Sequence, residues 1–495
     1  MYTIAHDLGT SGNKAVLYSE HGQLVKSVVK TYPLHVSGGG SWAEQSADDW
    51  FKAVADSTKE LLDGIDPSEI AAVSFSGQMM GCLCVDQSGA PLRNAIIWAD
   101  QRSVDQEEQV RSRISMERFY QLAGHRISCS WGAFKFLWIK QNQPEIYAKT
   151  YLTLNAKDYI LYKLTGTFAT EYSDASSLCL MDINRFEWSD ELFDAFGLDR
   201  GKVPPLYRST DIIGTVTAQA ARLTGLKEGT PVVAGGGDGS CAAVGTGCVK
   251  PGVANLCLGT SSWISITSDR LADKENMSIS NFAHIVPRRL MPTGTMQTGG
   301  GALSWAVNKF YGNTDGDSGD DIYKRIEKEV AQTEPGAKGL IFLPYLIGER
   351  SPRWNPRARG AFVGLTLEHG RAEMVRAVME SVAMNLDIVL NALEQTAPVN
   401  ELTVIGGGAR NKLWLQMFAD AFNRPLVVPN VLEEATSMGA AITAGVGVGL
   451  FPNFDVIERF LTPQYKVLPN PENVERFNSI KPKFEQCYQS LRTYF

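Results

Sequence analysis

Short alternating or apolar segments open the chain, and each is too short for a typical helix. Residues 2–6, 14–18 and 23–32 predict three β-strands joined by tight turns, the first of them rich in glycine. Apolar residues then recur at helical spacing over 50–62, after Ser46 as a predicted N-cap. Residues 70–75 predict a buried strand. Three hairpin strands followed by strand–helix alternation indicate a mixed α/β fold.

A four-residue sequence, Leu-Gly-Thr-Ser, occurs twice, at 8–11 and at 258–261. Each copy follows one strand-like segment and precedes another, so the surroundings repeat together with the motif. Internal repetition of this kind indicates two related α/β halves. We place the division in the loop-like segment 245–252, which gives domains of residues 1–246 and 247–495.

Three later segments add further elements. A strand, a glycine cluster and a helix over 412–422 follow one another from residue 403. Residues 312–320 are rich in glycine and aspartate, which predicts an exposed loop. Residues 472–494 are polar with scattered aromatic residues, which is typical of a helix packed on the surface.

The composition is typical of a globular protein and limits the kinds of partner that the protein is expected to bind. The chain has 495 residues, with 44% hydrophobic and 20% charged residues, and about two to four domains are expected at this length. A net charge of −7 argues against a nucleic-acid surface. The eight cysteines contain no CxxC pair, which favours buried thiols in a reducing compartment over zinc ligands. No apolar run approaches the roughly 20 residues of a membrane span, and no signal-peptide pattern is seen, so we expect a cytoplasmic protein.

The two Leu-Gly-Thr-Ser turns have the chemistry of phosphate-binding loops. Glycine lets backbone N–H groups approach an anion, and the hydroxyl groups add donors. The candidate residues are Gly9, Thr10, Ser11, Gly259, Thr260 and Ser261. Asp7 would repel phosphate unless a divalent cation lay between them, so it predicts a Mg²⁺ site, with Lys14 adding positive charge. Ordinary hairpin turns are the alternative, and neither a Walker A loop nor a Rossmann fingerprint is present.

Two further glycine clusters each end a predicted strand. Gly406, Gly407 and Gly408 leave a flat ledge suited to a nucleoside, or form an ordinary βα turn. Asp238 follows an apolar strand and three glycines, so a substrate hydroxyl could approach it closely and pass it a proton. Its alternative role is to cap a helix that starts near Ser240. The scattered histidines and the lack of a GxSxG sequence argue against a Ser-His-Asp hydrolase.

Taken together, these residues resemble the FGGY family of carbohydrate kinases, in the sugar kinase/actin/Hsp70 superfamily, over nearly the whole chain. Residues 360–380 fit the second signature of the family at every constrained position. Residues 135–142 match its first signature, with Gly132 where a small Pro, Ser or Thr is expected. Family-like stretches also occur at 97–102, 157–159, 342–345 and 348–352.

The resemblance implies two actin-like (ribonuclease H-like) ATPase domains that close around a cleft, with ATP and Mg²⁺ as cofactors. It implies that Asp238 is the catalytic base, that Asp7 and Asp238 lie at the metal, and that the loop at 259–261 faces the γ-phosphate. Nucleotide contacts are implied for the two loops and for Lys14, Gly406, Gly407, Gly408, Ala409 and Asn411. Sugar contacts are implied for Gln78, Met79, Met80, Trp98, Asp100, Arg102, Asp238 and Gly239.

Within the family, the sequence most resembles xylulokinases, which makes the conversion of D-xylulose to D-xylulose 5-phosphate the expected reaction. The sugar loop of those enzymes reads Gln-Met-His-Gly, and Asn follows their base. This chain has Met80 and Gly239 at these positions, so an imidazole and an amide are missing beside the sugar. A site that loses such partners loses discrimination. This favours a different ketose or polyol, or D-xylulose held by altered contacts.

Two other classes of protein share parts of this pattern. A chaperone or filament ATPase of the superfamily would need Asp7, both loops and the nucleoside glycines, but neither the base at Asp238 nor the second signature. A sugar-sensing protein without catalysis would need neither an intact base nor intact phosphate loops. The kinase hypothesis therefore stands first, with a small-molecule sugar as partner, no nucleic acid or membrane, and a homodimer as the candidate assembly.

Overall fold

The structure is a computed structural model that describes residues 1–312, 319–430 and 434–495. The strands are β1 (Tyr2–Leu8), β2 (Gly12–Ser19), β3 (Leu24–Thr31), β4 (His35–Ser37), β5 (Trp42–Gln45), β6 (Ile70–Gly77), β7 (Leu83–Val85), β8 (Ala95–Ile96), β9 (Leu152–Leu154), β10 (Thr170–Glu171), β11 (Met181–Asp182), β12 (Glu187–Trp188), β13 (Leu206–Tyr207), β14 (Ile212–Thr215), β15 (Pro231–Val233), β16 (Gly236–Gly237), β17 (Ala254–Leu258), β18 (Ser262–Ile266), β19 (Ser280–Ala283), β20 (Leu290–Met296), β21 (Ile341–Leu343), β22 (Ala361–Val363), β23 (Leu402–Ile405), β24 (Leu426–Pro429) and β25 (Pro463–Val467).

The α-helices are α1 (Ala47–Leu61), α2 (Asp105–Arg111), α3 (Met116–Ala123), α4 (Gly132–Asn142), α5 (Pro144–Lys149), α6 (Ala156–Thr165), α7 (Tyr172–Leu178), α8 (Asp190–Phe196), α9 (Ala218–Thr224), α10 (Asp238–Gly245), α11 (Gly300–Phe310), α12 (Gly319–Ala331), α13 (Arg371–Glu394), α14 (Lys412–Phe422), α15 (Ala435–Gly447), α16 (Ile457–Phe460) and α17 (Pro471–Leu491).

The first half of the chain forms a sheet in the order β3-β2-β1-β6-β15-β14, with β16 also paired to β6. β1, β2 and β3 pair antiparallel as a meander, as predicted. β6 runs parallel to β1, and β15 runs parallel to β6. β14 closes the edge in the antiparallel direction.

The second half repeats this arrangement in the order β20-β18-β17-β23-β24-β25, with β19 added outside β20. β17, β18 and β20 pair antiparallel, β23 and β24 run parallel to β17, and β25 closes the edge antiparallel. Strand order and direction therefore match the first sheet position for position. The duplicated topology confirms the two related halves that the repeated turn predicted, and the mixed α/β class is confirmed with it.

One helix joins the two halves. α15 lies in the second half by sequence, yet it packs across β1, β2, β6 and β15 of the first sheet and against α10. The two helices approach closely because glycines face backbone, with Gly245 against Ala435 and Gly439 against Cys241. A Cβ at either glycine would overlap the backbone of the partner helix. A helix–helix contact therefore crosses the division predicted between residues 246 and 247.

Several local predictions agree with the structure. Ser46 caps α1, and its hydroxyl accepts a hydrogen bond from the backbone N–H of Asp49. α14 has the predicted bounds, and α17 covers most of the predicted terminal helix. The loop predicted at 312–320 lies mostly outside the described residues, with α12 starting at Gly319.

The first strand is longer than the sequence predicted. β1 does not stop at His6, because Asp7 still pairs with Lys14 on β2 and with Ser76 on β6. The acid is therefore held inside the sheet, one residue before the turn.

All eight cysteines are unpaired, and all except Cys487 are buried, as their spacing predicted. In the three described ranges, every helix is too short or too polar to cross a membrane.

Candidate active site

Three predicted features meet at one edge of the first sheet. β1, β6 and β16 run parallel, so their carboxyl ends lie together. β1 leads into the first Leu-Gly-Thr-Ser turn, β6 leads into residues 78–81, and β16 leads into Asp238. Ligands of open α/β sheets bind at this edge. The fold thus brings together the predicted phosphate loop, sugar loop and base, which lie far apart in the sequence.

Asp238 is the first residue of α10, and Gly237 is the N-cap of this helix. The alternative prediction, an aspartate cap before a helix that starts near Ser240, is therefore wrong. The Asp238 side chain is exposed, and its Oδ1 accepts a hydrogen bond of 2.7 Å from the backbone N–H of Gly239. Since Gly237 and Gly239 flank it, neither sequence neighbour places a side chain in the path of a substrate hydroxyl.

The pKa of Asp238 is raised to about 7, chiefly because surrounding protein displaces water and also because the Asp7 carboxylate lies nearby. The backbone N–H of Gly239 opposes this shift. Since the side chain is open to solvent here, water moderates the effect, and a ligand that excludes this water would strengthen it. A carboxylate with a pKa near the working pH is suited to accept a proton.

Asp7 is half-buried beside this base. Its Oδ1 accepts a hydrogen bond of 2.9 Å from the Ser76 hydroxyl. Burial raises the pKa of Asp7, while the Ser76 hydroxyl and the positive charge of Lys14 lower it. Lys14 also lies 3.7 Å from Glu434 of the second half. The positive charge predicted for Lys14 therefore lies beside Asp7, and Lys14 is also paired with Glu434, next to α15.

Side chains hold the carbonyl groups of the first turn. The Tyr32 hydroxyl donates to Gly9 O at 2.5 Å, and Gln45 Nε2 donates to Thr10 O at 2.6 Å. Trp98 Nε1 donates to the Thr10 hydroxyl at 2.9 Å. The turn is therefore fixed from several directions, and Trp98 ties the predicted sugar site to the predicted phosphate loop.

Residues 78–81 present one side chain outward. Gln78 and Met79 are buried, and Gln78 Nε2 donates to Gln45 Oε1 at 2.7 Å. Met79 packs directly on Gly237, ahead of the base. Met80 is partly exposed and has a φ of 64°, which is uncommon for a residue other than glycine. Of the three predicted sugar contacts here, Met80 is the one that is open to solvent.

Asp100 and Arg102 form a buried ion pair, with 2.7 Å between Oδ2 and Nη2. The Arg102 guanidinium also lies 2.7 Å from Glu44 and 4.0 Å above the Trp42 ring. Asp100 further accepts a 2.6 Å hydrogen bond from the backbone of Ala43. Since the two side chains are 0% and 1% exposed, the structure does not bring them to the surface, and the sugar contact predicted for them would require the pair to open.

Gly239 leaves space next to the base. A Cβ built there would lie 3.6 Å from the Met291 methyl group, an ordinary contact distance. Met291 belongs to β20, so the second sheet forms one wall beside the base. The position could therefore hold a side chain, and glycine keeps it open for a ligand.

The second Leu-Gly-Thr-Ser turn packs on a glycine segment, residues 299–301, that was not predicted to be part of the site. Gly300 N donates to Gly259 O at 2.8 Å, and the backbone N–H groups of Gly299 and Gly301 donate to Thr260 O at 3.0 and 2.9 Å. These glycines lead into α11. A signal was present, since three consecutive glycines before a helix also occur at 235–237 and 406–408.

The ledge at 406–408 leaves the second sheet beside this turn. β17 and β23 are parallel neighbours with Cys257 opposite Ile405, so both loops extend from the same edge. Gly406 has a φ of 89°, and a Cβ there would lie 2.7 Å from Leu258 O. Gly407 faces open space. The predicted nucleoside ledge is thus exposed at its centre and packed on the strand at its ends.

Two of the predicted nucleotide contacts have structural roles. Ala409 is buried, and Asn411 caps α14 by accepting a 2.8 Å hydrogen bond from Trp414 N.

Asp7 and Asp238 fit a metal bound together with phosphate. The structure shows no cluster of three or more His, Cys, Asp or Glu side chains that could hold a metal within the described residues. The two carboxylates are close enough for the charge of Asp7 to raise the pKa of Asp238. Hard divalent cations such as Mg²⁺ commonly take one or two carboxylates and complete their shell with water and phosphate oxygens. The pair therefore suits Mg²⁺ that arrives with a nucleotide.

Comparison with known proteins gives one family for both halves. Residues 2–245 match the N-terminal domain of the FGGY family of carbohydrate kinases, and residues 254–448 match its C-terminal domain. A xylulose kinase of Staphylococcus epidermidis is 33% identical over 98% of this chain and 96% of its own. A gluconokinase of Bacillus licheniformis is 31% identical over 99% of this chain and 96% of its own. The crystal structure of ligand-bound xylulose kinase from Lactobacillus acidophilus superposes with a TM-score of 0.92 at 27% identity, over 99% of this chain and 98% of that one.

Proposed function

Because the chain belongs to the FGGY family of carbohydrate kinases, we propose that it transfers the γ-phosphoryl group of ATP to a hydroxyl of a ketose or related polyol. One observation carries the proposal. Asp238 is an exposed carboxylate with a raised pKa, and it stands at the same sheet edge as the phosphate loop and the sugar loop. A chaperone or filament ATPase has no sugar hydroxyl to deprotonate, so a base beside a sugar loop favours the kinase.

The reaction follows from this placement. Asp238 accepts the proton of the sugar hydroxyl as the hydroxyl oxygen bonds to the γ-phosphorus. The bond from that phosphorus to the bridging oxygen breaks, and ADP leaves with the electron pair. The backbone N–H groups and hydroxyls of the two Leu-Gly-Thr-Ser turns orient the phosphates. Bound beside Asp7 and Asp238, Mg²⁺ would neutralise phosphate charge.

The identity of the sugar depends on two residues beside the base. D-xylulose is the default, since relatives named xylulose kinase are 33% identical to the chain. Met80 and Gly239 support a different ketose or polyol, because they present a thioether and open space where a polar group would hold a hydroxyl. The similar relative named gluconokinase makes gluconate a further candidate to test.

Asp238→Asn tests the base directly. We expect kcat to fall by about 10²–10⁴-fold with ATP binding retained, because a positioned base contributes on this order. Asp105→Asn is the matched control, since Asp105 is also the exposed first residue of a short helix. Sugar-dependent ADP release would be measured for both variants. Wild-type turnover by Asp238→Asn would remove this residue from its role.

A panel of purified ketoses, polyols and gluconate, compared by kcat/KM, tests the sugar. The variants Met80→His and Gly239→Asn, alone and combined, should raise kcat/KM for D-xylulose relative to the preferred substrate. Gly239→Asn should fold, because a Cβ there makes only an ordinary contact. If the unaltered protein already prefers D-xylulose clearly, the proposal of a different sugar is wrong.

A further inference from the structure

A group of buried polar side chains lies beneath both the base and the sugar loop. We call it the α6–α7 cluster, and its members are Asn155, Lys157, Asp158, Glu171, Ser173 and Ser177. Each is at most 1% exposed. None of them is exposed to a substrate in this structure, and the proposed chemistry uses none of them directly.

The centre of the cluster is costly to bury. Lys157 Nζ lies 2.7 Å from Asp158, 3.0 Å from Asp174 and 3.6 Å from Glu171. Burial raises the pKa of Asp158 and of Asp174, with Lys157 opposing the shift in both. Apolar side chains of similar volume would often fill such a space at no loss of stability. The cluster is therefore better explained by what it holds in place.

On one side the cluster holds the glycine segment that leads to the base. The Ser173 hydroxyl accepts a 2.9 Å hydrogen bond from Gly237 N and donates to Glu171 Oε1 at 2.6 Å. Glu171 Oε2 accepts from the Ser209 hydroxyl at 2.7 Å, and Ser209 O accepts from Gly235 N at 3.0 Å. Through Ser173 and Ser209, Glu171 thus fixes both ends of the glycine segment 235–237, which has no side chains that could anchor it.

On the other side the cluster holds the sugar loop. The Ser177 hydroxyl accepts a 3.1 Å hydrogen bond from Met80 N, and Asn155 Oδ1 accepts one of 3.0 Å from Gly81 N. Ser177 donates in turn to Asp174 O at 2.7 Å. A positive φ at a residue other than glycine persists only where its surroundings enforce it. These two bonds, on successive backbone N–H groups, hold Met80 at its φ of 64°.

We propose that the α6–α7 cluster is a positioning frame that sets the sugar loop and the base relative to each other. Ser173 acts on the base through Gly237, and Ser177 acts on the sugar loop through Met80. The proposal rests on the proposed role of Asp238. It assigns the two serines separate effects, although they lie in one helix, one turn apart.

Ser173→Ala and Ser177→Ala test the division. Ser173→Ala should lower kcat about five- to tenfold with the KM for sugar unchanged, a size typical of one lost hydrogen bond. It should also move the acidic limb of the pH profile to lower pH, because a loosened base is better hydrated. Ser177→Ala should raise the KM for sugar by a similar factor and leave kcat nearly unchanged.

Thr224→Ala is the control. Thr224 is fully buried, and its hydroxyl likewise accepts a backbone N–H, at 3.3 Å from Leu226 N, but it lies in α9. This variant should lower the melting temperature without altering kcat, KM or the pH profile. If either alanine variant does not fold, Ser173→Cys or Ser177→Cys keeps the volume, weakens the acceptor and should show the same split.

The proposal is overturned if both serine variants lose only thermal stability, as the control does, or if both change kcat and KM alike. Asp238→Asn, assayed beside them, separates the two hypotheses. An inactive Asp238→Asn with unaltered serine variants rejects the frame alone, whereas an active Asp238→Asn rejects the proposed base.

Discussion

The two Leu-Gly-Thr-Ser turns share their sequence and their strand–turn–strand setting, but their surroundings differ. The first follows a strand that carries Asp7, and the second has Cys257 at the equivalent position. Side chains of Tyr32 and Gln45 bind the carbonyl groups of the first turn. Backbone N–H groups of residues 299–301 bind the carbonyl groups of the second turn.

This difference shows how duplication can produce two roles from one turn. Both copies keep backbone N–H groups and hydroxyls suited to phosphate. Only the first carries a carboxylate, and it is tied through Trp98 to the predicted sugar site. Burial raises the pKa of the Cys257 thiol to about 12, so the second copy adds no charge at neutral pH. We infer that the flanking residues, and not the turns, decide which half carries the predicted metal site and which half carries the predicted nucleoside ledge.

Removing the acid from the first copy should have the largest effect. Asp7→Asn keeps an oxygen for the Ser76 hydroxyl but removes the charge, so kcat should fall about 10²-fold or more, as for other groups that stabilise transition-state charge. Steady-state rates over a range of Mg²⁺ concentrations would measure it. Cys257→Ser, at the equivalent position, should stay close to the unaltered rate. Similar rates for the two variants would contradict the division of roles.

Crowding the second copy should have the next largest effect. A Cβ at Gly300 would lie 2.5 Å from Gly259 O, whereas a Cβ at Gly9 would lie 3.5 Å from Gly12 O. Gly300→Ala should therefore reduce the free energy of unfolding by about 1–3 kcal/mol, the usual cost of overpacking. Gly9→Ala should leave it nearly unchanged and lower activity instead, because the methyl group obstructs the approach of phosphate. Thermal denaturation and ADP release would distinguish the two variants. Equal melting temperatures for Gly300→Ala and Gly9→Ala would contradict this prediction.

Local pattern was enough to predict much of the fold and part of the site. The strand meander, the cap at Ser46, the bounds of α14 and the glycines before Asp238 all follow from signals within a few residues. The repeat predicted matching halves because it copied a strand–turn–strand unit and not only four residues.

Long-range packing accounts for what the sequence did not predict. No local sequence pattern shows that α15 packs on the first sheet. No local pattern shows either that the N–H groups of residues 299–301 bind the carbonyl groups of the second Leu-Gly-Thr-Ser turn. Asp100 and Arg102 were predicted to contact the sugar, but each neutralises the other, so both side chains are buried. Lys157 and Glu171 are charged and yet fully buried for the same reason, and their 3.6 Å pair joins α6 to β10.

A smaller effect is expected where the first turn meets the predicted sugar site. Trp98→Phe removes the 2.9 Å hydrogen bond from Nε1 to the Thr10 hydroxyl and keeps most of the ring. Losing one such bond should raise the KM for sugar roughly three- to tenfold. Trp188→Phe is the control, because its Nε1 likewise donates to an oxygen, Pro204 O, but not to either Leu-Gly-Thr-Ser turn. An unchanged KM in Trp98→Phe would show that the first turn and the sugar site act independently.

The smallest effect concerns the pH profile, and it depends on which copy carries the acid. Asp238 must be ionised to accept a proton, so activity should rise with pH through its pKa of about 7 and fall as pH drops below it. Desolvation is the larger cause of that raised pKa and the Asp7 charge is the smaller, so Asp7→Asn should move the acidic limb of the residual activity to lower pH by only part of the full shift. Cys257→Ser removes no charge and should leave the limb in place. An acidic limb that moves upward in Asp7→Asn, or moves equally in both variants, would mean that the two carboxylates do not face one another across the site.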